Sequence, residues 1–231
     1  MAKLTNMVQY CFRGAGVPPV AADSGPFVRD VDAGGTVTAN QGAIRLQIPA
    51  AAGASRATVF QADSLPFDIS DIIRVEMLVK SDIDLANNPN TILAIGLCHN
   101  FDATLDNMIG VYFRSEGDNK LLVESNDGVR NIDDIETGFD IQPEFQRLAI
   151  DFARGTNTQS FPSVSTGGVS DIRFFAGNAT GALRDIRTGG TRFDLSAHAG
   201  GLQLFAQIEK TAGADVGSLW IRDICVTVKD N

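Results

Sequence analysis

The chain has 231 residues, 44% of them hydrophobic, which is long enough for one large domain with a self-sufficient core. Its net charge of −9 repels nucleic acid and anionic lipid, and its Lys and Arg form no basic run, so neither nucleic acid nor a membrane surface is expected as a partner. No stretch nears the roughly 18 consecutive apolar residues of a membrane span, and residues 1–7 lack the apolar segment of a secretory signal, so export by the general route is not expected.

Residues 1–41 carry Gly14, Gly16, Pro18, Pro19, Gly25, Pro26, Gly34 and Gly35, a density that breaks regular elements. They read as an irregular N-terminal arm. Two readings of it stand: a loose terminus, or an arm that orders against a neighbouring subunit through Tyr10, Phe12 and Phe27. From residue 42 to 231 the pattern alternates with period two. Ile44, Leu46 and Ile48 share one face, and residues 58–62 form a second short strand. In Ile72–Lys80, Ile73, Val75, Met77 and Val79 point one way, with Arg74, Glu76 and Lys80 opposite. Asn87-Asn88-Pro89-Asn90 is a turn cluster before a strand at Thr91–Leu97 that is apolar on both faces, as a central strand should be.

A polar loop at residues 99–107 precedes strands at Ile109–Arg114 and Lys120–Ser125, and Asn126-Asp127-Gly128 is a hairpin signal. Strands follow at Phe145–Phe152 and Ile172–Phe175. Two long stretches, Arg154–Gly168 and Gly177–Gly190, interrupt them, and strands at Leu202–Lys210 and Ser218–Val228 close the chain. With no sustained helical period, the expected architecture is all-β: an antiparallel β-sandwich over residues 42–231 behind the arm.

Catalytic constellations are scarce. There is no Gly-x-Ser-x-Gly elbow, and His99 and His198 are the only imidazoles. His198 reads as an exposed loop residue. Cys98 and His99 are neighbours on a strand, point to opposite faces and cannot pair. The acids of Asp133-Asp134-Ile135-Glu136 and Asp140 do not alternate on an apolar strand and read as solvated loop acids, while Glu76 stands alone. Asp102, Asp106 and Asn107, or Asn126 and Asp127, could offer oxygens to calcium, but turn chemistry accounts for them as well. No catalytic residue, metal or cofactor is therefore expected. Cys11, Cys98 and Cys225 are too few and too far apart for a disulfide framework; Cys98 and Cys225 read as small buried hydrophobes, in keeping with a reducing cytoplasm.

The order of elements from Ile92 to Val228 resembles the concanavalin A-like (laminin G-like) jelly-roll superfamily. The residues that carry the likeness are Ile95-Gly96-Leu97, Gly110–Arg114, Leu121–Gly128, Phe145–Phe152, Ile172–Phe175 and Gly217–Ile224. The arm and the jelly-roll body together are similar to virion proteins that decorate tailed-bacteriophage capsids. That resemblance implies a non-enzymatic capsid decoration or cement subunit, located in the virion and assembled in the host cytoplasm. Its partners would be the major capsid protein and copies of itself, with Tyr10, Phe12 and Phe27 making contact. The alternative is a lectin-like, glycan-binding module of a tail fibre or surface assembly, rimmed by Arg154–Gly168 and Gly177–Gly190; a glycoside hydrolase ranks third. The superfamily's metal-site acids have no residue-by-residue match, and Trp220 falls in a core-like strand.

Overall fold

The structure is a computed structural model of the chain; it describes residues 7–13, 27–61, 64, 66–152, 169, 171–186 and 191–229. Sixteen strands are present among these residues. The first six are β1 (Met7–Arg13), β2 (Val28–Asp32), β3 (Thr36–Asn40), β4 (Ala43–Ile48), β5 (Ser55–Phe60) and β6 (Phe67–Asp68). The middle of the chain gives β7 (Ile72–Ser81), β8 (Thr91–Cys98), β9 (Gly110–Glu116), β10 (Lys120–Asn126) and β11 (Asn131–Asp140). The rest are β12 (Gln146–Asp151), β13 (Arg173–Asn178), β14 (Arg184–Asp185), β15 (Gly201–Lys210) and β16 (Gly217–Lys229).

The strands pair antiparallel into two eight-stranded sheets. The first runs β14-β13-β12-β7-β16-β4-β3, with β1 also on β16; the second runs β11-β10-β9-β8-β15-β5-β2, with β6 also on β15. This is the expected all-β sandwich. Alternation explains the burial: Val75, Met77 and Val79 of β7 face the core between the sheets, and Arg74, Glu76 and Lys80 face outward. Leu46, Leu148, Ile150, Leu204 and Ile221 are fully buried there, each worth about 1.5–3 kcal/mol of transfer free energy.

β8 is apolar on both faces for a second reason. Ala94 and Cys98 point away from the main core and, with Tyr112 and Phe205, form a smaller cluster under Leu105 and Met108 of the 99–109 loop. Gly96 lies in the same row. A Cβ there would sit 2.5 Å from the Val111 carbonyl oxygen and 2.6 Å from Tyr112 Cα, so only glycine fits. The vacancy lets the Tyr112 ring reach Phe205, with centroids 5.5 Å apart.

Several expectations need correction. The 1–41 segment contributes β1, β2 and β3 to the sheets, and its Gly34 (φ 85°) serves the β2–β3 turn; residues 14–26 lie outside the described set. Cys225 is not a lone hydrophobe: β1 and β16 register Cys11 directly opposite it, with Cα atoms 4.1 Å apart, and the two form a disulfide. Sequence spacing hid this, because the strands that meet lie 214 residues apart. Cys98 is buried and takes no part in that disulfide. Residues 133–140 lie on β11, an edge strand with positive φ at Asp134 and Gly138, rather than in a loop. Trp220 is only half-buried and stands on the outer face of the first sheet.

Candidate ligand-binding groove

At the end of the second sheet where β8 begins and β9 and β15 finish, three connections converge. The first is the Asn-rich turn before β8. Asp84 organises it: one carboxylate oxygen accepts from Asn119 Nδ2 at 3.0 Å and the Ala86 N–H at 3.2 Å, the other from Asn87 Nδ2 at 2.6 Å. The Asp84 carbonyl accepts from Asn88 Nδ2, and Asn119 Oδ1 accepts the Leu85 N–H. Hydrogen bonds from Asn119 and then Asn87 hold the Asp84 pKa below its ordinary value.

The second connection follows β15 and is clamped by Lys210. This lysine is fully buried, and its Nζ donates to the carbonyls of Pro49 and Ala51 at 2.6 Å and of Asp215 at 3.0 Å. Three carbonyl dipoles replace the water that an ammonium loses on burial. Thr211, the next residue, donates its N–H to the Asn90 carbonyl at 2.9 Å, which fastens the second connection to the first. The third is the tight β9–β10 turn, where Gly117 adopts φ 65°.

Between them opens a groove of about 370 Å³ lined by Pro89, Asn90, Ile92, Glu116, Gly117 and Thr211. Ile92 and Pro89 supply apolar surface; Asn90, Glu116 and Thr211 supply an amide, a carboxylate and a hydroxyl. Glu116 is held in place by Arg114, whose Nε and Nη2 donate to Oε2 at 3.0 and 2.5 Å; Oε1 has no partner among the described residues.

Arg114 also reaches back under the 99–109 loop. Its Nη1 donates to Asp106 Oδ1 at 3.0 Å and to Glu124 Oε1 at 3.2 Å. Burial opposes the Arg114 charge, but Glu124 and then Glu116 more than offset it and raise the pKa. Glu124 is almost completely buried, and its Oε2 makes no hydrogen bond. Burial is the largest influence on it and pushes its pKa up to about 7, despite the opposing pull of Tyr112 and Arg114. The Tyr112 hydroxyl donates to the Leu105 carbonyl at 3.2 Å, which pins the covering loop.

The opposite end of the sheet is knitted differently. Asp127 Oδ1 accepts the N–H groups of Val129 at 2.9 Å and Arg130 at 2.6 Å. Burial raises its pKa, but these bonds prevail and lower it. Arg130 pairs with Asp194 at 2.7 Å. His198 is not an isolated loop residue: its ring lies edge-on to His99, centroids 4.6 Å apart, and desolvation, then His99, lowers its pKa. His99 Nδ1 bonds the Gly201 carbonyl at 2.9 Å.

Of the expected contact residues, Phe27 lies in the chain's own core with Phe12 packed edge-on against it at 5.1 Å; Tyr10 is exposed beside Phe67. The calcium candidates serve other ends. Asp102 accepts from the Thr104 N–H, Asp106 pairs with Arg114, and Asn126 accepts from the Gly128 N–H. Among the described residues no group of three or more His, Cys, Asp or Glu is placed to hold a metal ion. Glu76 pairs with Arg74 and Arg147. Of the expected rims, 154–168 and 187–190 lie outside the described residues, and 177–186 lies at the edge of the first sheet. Glu116, Thr211 and Glu124 carry no functional signal in the sequence, and Asn87–Asn90 shows there only as a turn cluster.

The fold is that of concanavalin A-like, legume-lectin-like β-sandwiches. The Emp47p carbohydrate recognition domain superposes with a TM-score of 0.60 at 11% identity, covering 96% of each chain. The exoplasmic/lumenal domain of VIP36, in its Ca2+- and mannose-bound form, gives 0.60 at 11%, covering 94% of this chain and 88% of that one. Peanut lectin gives 0.57 at 14%, covering 97% and 98%. At these identities the likeness establishes the fold alone. Neither a protein-family model nor a curated protein matches the sequence.

Proposed function

We propose that the protein is a non-catalytic, lectin-like carbohydrate-binding module whose ligand lies in the groove at Ile92, Glu116 and Thr211. The observation that carries this reading is the groove's composition on a pre-organised frame: apolar surface from Ile92 and Pro89 beside amide, carboxylate and hydroxyl groups held by Asp84, Arg114 and Lys210. A sugar presents the complementary set, C–H faces and hydroxyls that both donate and accept. The named structural neighbours that are carbohydrate recognition domains support the class of ligand.

The setting belongs to the same proposal. A disulfide such as Cys11–Cys225 persists in oxidising surroundings, which favours a location outside a reducing cytoplasm. Capsid decoration gains no support from the arm, since β1 is hydrogen-bonded to β16 of its own chain and Phe27 is buried in its own core. The test is a glycan array probed with the wild type and with Glu116→Ala/Thr211→Ala. Binding by the wild type that falls about tenfold or more in the variant supports the reading. An array that stays dark, or binding that the variant retains, overturns it.

A further inference from the structure

The outer face of the first sheet bears a chain of cation–aromatic contacts that the groove does not use. Trp220 of β16 stands directly between Arg45 of β4 and Lys80 of β7 in the strand register. Both cations lie 5.0 Å from its ring centroid. Lys80 also lies 5.2 Å from the Phe145 ring, as does Arg222. Asp82 fixes the tryptophan by accepting from its Nε1 at 3.1 Å, and its other oxygen accepts the Ser218 N–H at 2.6 Å.

Three cations are thus held by two rings, and none of them makes an ion pair with an Asp or Glu among the described residues. Arg45 uses its Nε on Ser218 Oγ at 2.8 Å, leaving its terminal nitrogens without hydrogen bonds among those residues. The nearby carboxylates are otherwise engaged: Glu76 pairs with Arg74 and Arg147, and Asp223 has partners of its own. Glu144 adjoins Phe145 in the chain and forms no ion pair among the described residues. In a chain of net charge −9, unneutralised cations gathered on one face stand out.

We propose that this face is a second binding site, for a linear acidic polysaccharide that carries a charged sugar at every second position. Arg45 and Lys80 sit on the two strands flanking β16, their backbones roughly 9–10 Å apart, and with each charge 5.0 Å from the same Trp220 centroid the charges themselves stand no further apart than about that distance. That distance is close to the rise of two pyranose units in an extended chain. Phosphates of a nucleic acid strand recur much more closely, about every 3.4 Å of helix axis, and the acidic remainder of the surface opposes a long polyanion of that density. The rings hold the cations at fixed positions, which lowers the ordering cost of binding. The site does not depend on the groove reading.

Hyaluronan octasaccharide, in which glucuronate alternates with a neutral sugar, is the probe, titrated calorimetrically beside a neutral chito-oligosaccharide of equal length and oligothymidylate. The expected result is binding of hyaluronan over both controls, weakened by salt. Arg45→Gln/Lys80→Met should reduce it about tenfold or more, as should Arg222→Glu, which changes an exposed residue and leaves the fold intact by thermal melting. Glu116→Ala/Thr211→Ala should leave it unchanged, which separates this site from the groove. Equal affinity for the neutral chain or for oligothymidylate, no response to Arg222→Glu, or concentration-dependent dimerisation that blocks the face would overturn the proposal.

Discussion

Replacing Glu124 by Gln tests the buried cluster beneath the 99–109 loop. The carboxyl titrates near 4.5 when unfolded and near 7 in the fold, with burial the largest cause. An acid with a raised folded pKa contributes stability that is fully present below the unfolded value and is lost as pH rises through the folded one. At about 1.4 kcal/mol for each pH interval of one, the loss between pH 4.5 and 8 amounts to roughly 3 kcal/mol. Glu209 and Asp133, also raised by burial, add to the decline. His198 works against it, because a base with a lowered pKa withdraws stability as pH falls below the ordinary 6.5. Urea denaturation at several pH values should therefore show the wild type weakening from pH 5 to 8 and Glu124→Gln nearly level over the same range. Gln keeps the volume, and Arg114 retains Glu116 and Asp106. A variant that keeps the wild-type slope, or a wild type whose midpoint rises across this window, refutes the reasoning.

Lys210→Met removes a buried ammonium that donates to three carbonyls and should cost about 3 kcal/mol in urea denaturation; an unchanged midpoint would show that water replaces the ammonium. Cys11→Ser opens a closure spanning 214 residues, for which chain entropy sets a ceiling of about 5 kcal/mol. A loss of 2–5 kcal/mol is expected, matched by the wild type in reductant, and no loss in either would mean that the link does not form.

Much of the sandwich was legible, and the reasons for the gaps are specific. β7, β8, β9, β10, β12, β15 and β16 alternate apolar and polar residues or run apolar throughout, so the period alone reveals them. β11 is rich in acids and contains Gly138, so its place rests on hydrogen bonds to β10 that no local propensity announces. Gly34 and Gly35 mark the turn between β2 and β3, where an unbroken irregular arm was expected. The site is harder. Asn87–Asn90 shows itself as a turn, but Glu116 and Thr211 join it only through the order β9-β8-β15. Glu124 resembles any outward acid on a strand until the loop covers it, and burial by a remote segment leaves no mark on the strand's own sequence.

The β1–β16 seam has a mechanical consequence. Met7 lies opposite Lys229 and the strands are antiparallel, so tension between those two points would peel the pair apart one rung at a time. Peeling passes Val8, Gln9 and Tyr10 and then meets the Cys11–Cys225 bond, where the load transfers from hydrogen bonds to a covalent link. The load then runs through that link, so the β1–β16 rungs beyond it, Phe12↔Ile224 and Arg13↔Asp223, are spared.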